Sequence, residues 1–249
     1  MKNRRILPKG RQSILGSVGA SCLLLFGLCL SLTGCDGHFL SIDCIGSSGF
    51  CGPVAPTPDA PSLVATAQAL TAGKPLLTDP MSKQDNNDWA GGNGCSFRNG
   101  AYVVTYSGSS SGTQGCFSLK LSYRDAAIAV DVTLISGDFA GIAFRTTPDF
   151  ASFYEFLIGK GQFLLGTFFD YKLVNLIIPI TSSNAVRGLK QTNRLLVIAR
   201  GTDFQLFING TFVGEVQDPT LSAAGSIGAI LEYSSNSEAR LSNLAIYSI

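Results

Sequence analysis

The chain has 249 residues, with 18 Lys and Arg against 17 Asp and Glu and a formal net charge of +1. That balance favours neither nucleic acid nor an anionic surface as a partner. Only 14% of residues are charged, while Gly numbers 28 and Phe 16, a composition suited to short strands joined by tight turns rather than to charge-laced helices.

The first residues form a basic segment without acids: Lys2, Arg4, Arg5, Lys9 and Arg11. From Ile14 to Leu32 the chain is uncharged and apolar, which is the pattern of a secretory signal. A run of that length also nearly spans a bilayer, so length alone leaves a permanent anchor open. The residues at its end, Leu32-Thr33-Gly34-Cys35, resemble the lipobox of bacterial lipoproteins. The resemblance implies a signal peptide over 1–34 and a lipidated Cys35, with palmitate-type acyl chains. The mature chain is then held at the extracytoplasmic face of a cell membrane by more than one acyl chain.

Residues 35–76 read as a tether. Pro53-Val54-Ala55-Pro56-Thr57-Pro58-Asp59-Ala60-Pro61 favours a semi-rigid extended spacer, and Ser62 to Gly73 has room for a turn or two of helix. Cys44, Cys51, Cys95 and Cys116 are an even set in an oxidising compartment and are expected to form disulfides. Three connectivities are open, of which the local pairs Cys44–Cys51 and Cys95–Cys116 are favoured. The only histidine is His38 and no Cys-x-x-Cys occurs, which argues against a zinc site.

From Leu77 to the C-terminus the pattern is β. Ile128, Val130, Val132 and Leu134 alternate with Ala129, Asp131 and Thr133, the period of a strand with one buried face. Further strands are expected at 101–106, 116–122, 141–146, 153–158, 163–169, 173–180, 194–200, 204–208, 211–216, 226–232 and 240–247. Asn209-Gly210 is a strong hairpin signal, and turns are also expected at Gly159–Gly161 and Arg200–Asp203. The spacing of strands and turns predicts an all-β, antiparallel two-sheet sandwich, with a barrel as the alternative.

Several segments together carry a family resemblance. They are Asn193-Arg194-Leu195-Leu196-Val197, Phe204-Gln205-Leu206-Phe207-Ile208-Asn209-Gly210, Asp218 and Gly225-Ser226-Ile227-Gly228. Upstream, Asp79, Trp89, Asn99-Gly100-Ala101-Tyr102, Gly141-Ile142-Ala143-Phe144-Arg145 and Phe153-Tyr154-Glu155-Phe156 follow in the matching order. The pattern resembles the concanavalin A-like superfamily, closest to its laminin G-like and 3-keto-disaccharide-hydrolase-like modules, and covers 77–249. It implies a jelly roll, which hosts lectins, glucanases and adhesion modules alike.

The inventory for catalysis is thin. The Glu-x-Asp-x-x-Glu run of laminarinase-like members is absent, and only Glu155, Glu215, Glu232 and Glu238 exist. None has an acid two or four residues away, so a glycosidase pair would have to converge from separate strands. Without a histidine in the domain, no Ser-His-Asp or Cys-His arrangement can form there. Gly159-Lys160-Gly161 precedes a strand, not a helix, and reads as a turn rather than a phosphate cradle. Asp138, Asp149 and Asp218 are the candidate oxygens for calcium, without the spacing of a calcium loop; no other cofactor is expected.

Sugar sites stack exposed aromatics on pyranose faces, and the candidates are Trp89, Tyr154, Phe168, Phe169, Tyr171 and Tyr233. If extended, Phe168 and Phe169 point to opposite faces. The expectation is a membrane-anchored, non-catalytic binding module for a glycan or another surface polymer. A glycoside-active enzyme and a structural or protein-interaction domain are the alternatives.

Overall fold

The computed structural model describes residues 59–249. The expected signal segment, Cys35 and the Cys44–Cys51 pair lie outside these residues. A helix, α1 (Ala60–Ala72), comes first. The strands are then β1 (Leu77–Asp79), β2 (Cys95–Arg98), β3 (Ala101–Tyr106), β4 (Gly112–Tyr123), β5 (Ala126–Ser136), β6 (Phe139–Thr146) and β7 (Phe153–Ile158). They continue with β8 (Gln162–Phe169), β9 (Lys172–Ser182), β10 (Thr192–Arg200), β11 (Asp203–Ile208), β12 (Thr211–Gln217), β13 (Gly225–Tyr233) and β14 (Ser237–Tyr247).

The strands form two antiparallel sheets. Eight strands run in the order β12-β11-β10-β5-β14-β3-β2, with β1 also paired to β14, and six run β4-β13-β6-β7-β8-β9. Both sheets have open edges, so the architecture is the expected jelly-roll sandwich and not a barrel. The period-two pattern of β5 faces the way the alternation requires: Ile128, Val130, Val132 and Leu134 enter the core between the sheets. Asn209 and Gly210 both have positive φ, 52° and 80°, as the β11–β12 hairpin turn demands.

Two side chains of the first segments lock the sandwich at one end. The buried Asp79 carboxylate accepts from the Met81 amide at 2.6 Å, the Asn87 amide group at 2.7 Å and the Trp89 indole at 2.9 Å. Trp89 lies 5.0 Å from the Tyr102 ring, whose hydroxyl donates to the Ala90 carbonyl at 2.7 Å. A disulfide, Cys95–Cys116, ties β2 of one sheet to β4 of the other. Of the expected disulfides, this local pair is formed.

The segment expected as spacer up to residue 76 contains a packed helix longer than a turn or two. Asp59 caps it by accepting from the Ser62 amide at 3.1 Å, and a proline sits in its first turn. Leu63 and Ala67 then bury against Ala127, Ala129, Leu196, Ile198 and Phe207 on the outer face of the eight-stranded sheet. Propensity alone would not hold a helix this short; the apolar sheet face beneath it does.

Replacing both Cys95 and Cys116 with Ser should destabilise the fold by about 3 kcal/mol through the reopened 21-residue separation. Thermal unfolding followed by circular dichroism should show a fall in Tm on the order of 10 °C. An unchanged Tm would mean that the inter-sheet link carries no stability.

Candidate functional site

The two outer faces of the sandwich differ. The eight-stranded sheet is covered by α1, whereas the six-stranded sheet carries its own second apolar layer of Ala143, Phe153, Leu157, Leu164 and Ile230. On β7 this means that both faces are buried. Tyr154, Phe156 and Ile158 enter the main core, and Phe153, Glu155 and Leu157 point outward beneath the second layer.

That outer face is concave. Phe117 on β4 and Phe153 on β7 are separated by two intervening strands, yet their ring centroids lie 5.5 Å apart. Close approach is possible because side chains are missing beneath Phe117. A Cβ on Gly228 would stand 2.3 Å from its ring and one on Gly115 2.6 Å.

The concavity holds a cleft of about 380 Å³ walled by Phe117, Phe150, Phe153, Phe168 and Tyr171, with Thr113 and Gly115 at one end. Phe117 stacks on Phe150 at 5.0 Å and Phe153 on Phe168 at 4.8 Å. Two wall residues sit on unusual backbone: Phe150 has φ 58° and Tyr171 φ 61°. A left-handed conformation is costly for a bulky side chain, by about 1–3 kcal/mol, and persists only where surrounding contacts impose it. The Tyr171 amide donates to the Ala151 carbonyl at 2.9 Å and its hydroxyl to the Asp149 carbonyl at 3.2 Å. These bonds pin the β8–β9 turn to the β6–β7 loop and leave the Tyr171 ring 68% exposed.

The aromatics expected from sequence divide accordingly. Tyr171 and Phe168 line the cleft. Phe169 is 50% exposed on the face opposite Phe168 and is not among the lining residues. Trp89 and Tyr154 are corrections: at 2% and 0% exposure they are core residues and offer no face to a sugar. Trp89 is taken by the Asp79 lock, and Tyr154 faces inward because Glu155 takes the outward register. The Tyr154 hydroxyl donates to the Asp218 carboxylate at 2.6 Å and accepts from the Leu221 amide at 2.9 Å. Tyr233 stacks on Tyr106 at 3.6 Å and does not reach the cleft. Phe117, Phe150 and Phe153 were not singled out by sequence, since nothing local distinguishes them from core phenylalanines.

The cleft adjoins a carboxyl pair. Glu155 is fully buried, and neither of its oxygens finds a donor among the described side chains. Burial first, then the charge of Glu232, pushes its pKa up to about 9, so it is protonated at neutral pH. It can then donate to Glu232, a half-buried residue of β13 whose own pKa is raised by burial and by Asp138 and lowered in part by this hydrogen bond. Carboxylates from separate strands therefore do converge. Glu155, however, is sealed from solvent, and neither role in a glycosidase pair can be played by a carboxyl that reaches no substrate or water. The candidate calcium aspartates are not brought together. Asp218 serves Tyr154, Asp149 accepts from the Thr147 hydroxyl, and Asp138 stands near Glu232.

A family model for the 3-keto-alpha-glucoside-1,2-lyase-like domain matches residues 78–246. The chain belongs to that family. The matched span runs from within β1 to within β14 and leaves α1 outside it, so the family fold carries the cleft and the helix packs at its back. Among solved structures, a carbohydrate-binding module from Bacillus subtilis matches with a TM-score of 0.56 at 17% identity, over 67% of this chain and 99% of that one. A Bacillus licheniformis beta-glucanase matches with a TM-score of 0.52 at 9% identity, over 70% and 97%. An endo-beta-1,3-glucanase from Pyrococcus furiosus matches with a TM-score of 0.56 at 9% identity, over 70% and 94%. At these identities the likeness is one of fold. No curated protein matches the chain.

The raised Glu155 pKa makes stability depend on pH in a defined direction. Between the unfolded value near 4.5 and the folded value near 9, the folded chain keeps a proton that the unfolded chain has lost. Stability should therefore fall as pH rises through that window, by up to about 1.4 kcal/mol per pH unit from this group. Glu155→Gln should flatten the fall and raise Tm near pH 8. Urea unfolding at several pH values measures both slopes, and equal slopes would place the Glu155 proton elsewhere.

Proposed function

We propose that this protein is a non-catalytic glycan-binding module, held by lipid at Cys35 on the extracytoplasmic face of a membrane, and that it binds its glycan in the concave aromatic cleft. The observation that carries the reading is that the only two aromatic residues with positive φ among the described residues, Phe150 and Tyr171, both wall this cleft. Strained backbone held in place by cross-loop hydrogen bonds is spent where a side chain must be presented in one orientation. Rings so fixed offer apolar faces to pyranose rings at little cost in side-chain entropy.

Fold-level likeness supports a glycan-related role, because the similar structures include a carbohydrate-binding module and glucanases. A catalytic reading rests on Glu155 and Glu232, which share the concave face with the cleft. The burial of Glu155 favours binding over hydrolysis. Turnover of a cleft-bound glycan that disappears in Glu155→Gln would reverse that preference.

Tyr171→Gly separates ring from backbone. Glycine tolerates φ 61° without strain, so the fold should keep its Tm within a few degrees, while polysaccharide binding in affinity electrophoresis falls about tenfold. Binding that survives the loss of the ring would move the site away from the cleft. Anchoring is tested separately by mass spectrometry and detergent partitioning of the native protein beside Cys35→Ala. A diacylglycerol-sized mass on a chain starting at Cys35, absent in the variant, is expected; an unmodified chain retaining Met1 would refute the anchor.

A further inference from the structure

The cleft has aromatic walls and an end formed by Thr113 and Gly115, and a carboxyl next to that end has a role that the stacking rings do not supply. Glu232 is paired with Thr113 across β13 and β4, and Thr113 lines the cleft. Cβ atoms directly opposite on one face of an antiparallel pair stand about 5 Å apart, so Glu232 stands beside a lining residue of the cleft without itself being one of the wall residues. Glu155 is sealed, but Glu232 is only half-buried, so of the two carboxyls it is the one that a ligand can reach. No lysine or arginine lines the cleft.

Resting on the glycan-binding reading above, we propose that Glu232 is the specificity-determining acceptor of the cleft, taking the hydroxyls of a neutral sugar stacked on Phe150 and Tyr171 and turning away anionic glycans. Two oxygens of one carboxylate can accept from two vicinal hydroxyls, a pattern that neither a ring face nor a lone Thr hydroxyl provides. Glu155 is the positioning residue. Buried and neutral, it stands close enough to Glu232 to bear on that side chain's titration, and its fixed place restricts the rotamers that Glu232 would otherwise lose on binding. The same arrangement accounts for a buried carboxyl with no other donor or acceptor among the described side chains. A uronate or sulfate at this end would face Glu232 with Asp138 behind it and no cation to offset them, so exclusion of anionic polymers follows from like charge.

The test uses the full chain against a panel of neutral polysaccharides (β-1,3-glucan, galactan, mannan and inulin) and against polygalacturonate, by affinity electrophoresis. The wild type should bind at least one neutral polymer and not polygalacturonate. Glu232→Gln should weaken neutral binding about tenfold, the loss of one charge-assisted hydrogen-bonding group, and should narrow the gap to polygalacturonate. Glu155→Gln, whose amide still donates to Glu232, should bind as the wild type does, whereas Glu155→Leu should weaken binding while a thermal melt shows it folded. If Tyr171→Gly loses binding but Glu232→Gln does not, the role of Glu232 is overturned and the cleft stands. Polygalacturonate binding more tightly than every neutral polymer overturns it as well. If Tyr171→Gly binds a neutral polymer as the wild type does, the cleft itself is refuted and Glu232 with it.

Discussion

The structure depends on the close approach of Phe117 to the backbone of its own sheet. Glycines at 115 and 228 leave no Cβ beneath the ring, so it lies against the strands and meets Phe150 and Phe153 from three strands away. A flat six-stranded sheet with ordinary side chains at those positions would hold these rings far apart. Curvature converts a row of separate phenylalanines into the walls of one cleft. It also brings Glu155 and Glu232, two strands apart, close enough for each to bear on the other's titration.

The six-stranded sheet is apolar on both faces, and each face has been closed differently. Inside, it meets the eight-stranded sheet in the main core, and the Cys95–Cys116 bond joins the two layers. Outside, it closes over its own residues and leaves an opening where Phe150 and Tyr171 are held on left-handed backbone. The eight-stranded sheet instead recruits α1 from the segment before the family domain. A carboxyl buried in the outer layer without a basic partner stays neutral by keeping its proton, which is less costly than an unpaired buried charge.

Much of the fold was legible in the chain. The strands at 101–106 and 153–158 have the expected limits, and the Asn209-Gly210 turn is formed. β1 and β2 were not foreseen, being three and four residues long with too few positions to show a period. The site was legible only in part. Tyr171 and Phe168, both candidates from sequence, line the cleft, whereas the candidates Trp89 and Tyr154 are core residues and Phe169 lies outside the lining. An aromatic next to polar or turn residues looks exposed in sequence whether or not a buried carboxylate such as Asp79 is waiting for its indole.

The sequence by itself determined the strand pattern and favoured, without deciding, the sandwich over a barrel and the local cysteine pair at 95 and 116 over the other pairings, because alternation, turn chemistry and short spacing are properties of neighbours in the chain. It also carried the basic and then apolar N-terminal stretch from which membrane anchoring is proposed. Tertiary structure alone decided which residue of each alternating pair faces the cleft, which aromatics share it, and that two glutamates 77 residues apart, 232 and 155, come near enough to affect each other's titration. The reason is physical: those outcomes depend on sheet order, register and curvature, and these are set by contacts between strands remote in sequence. Periodicity says that a strand has two faces. Only the packed sheet says what each face meets.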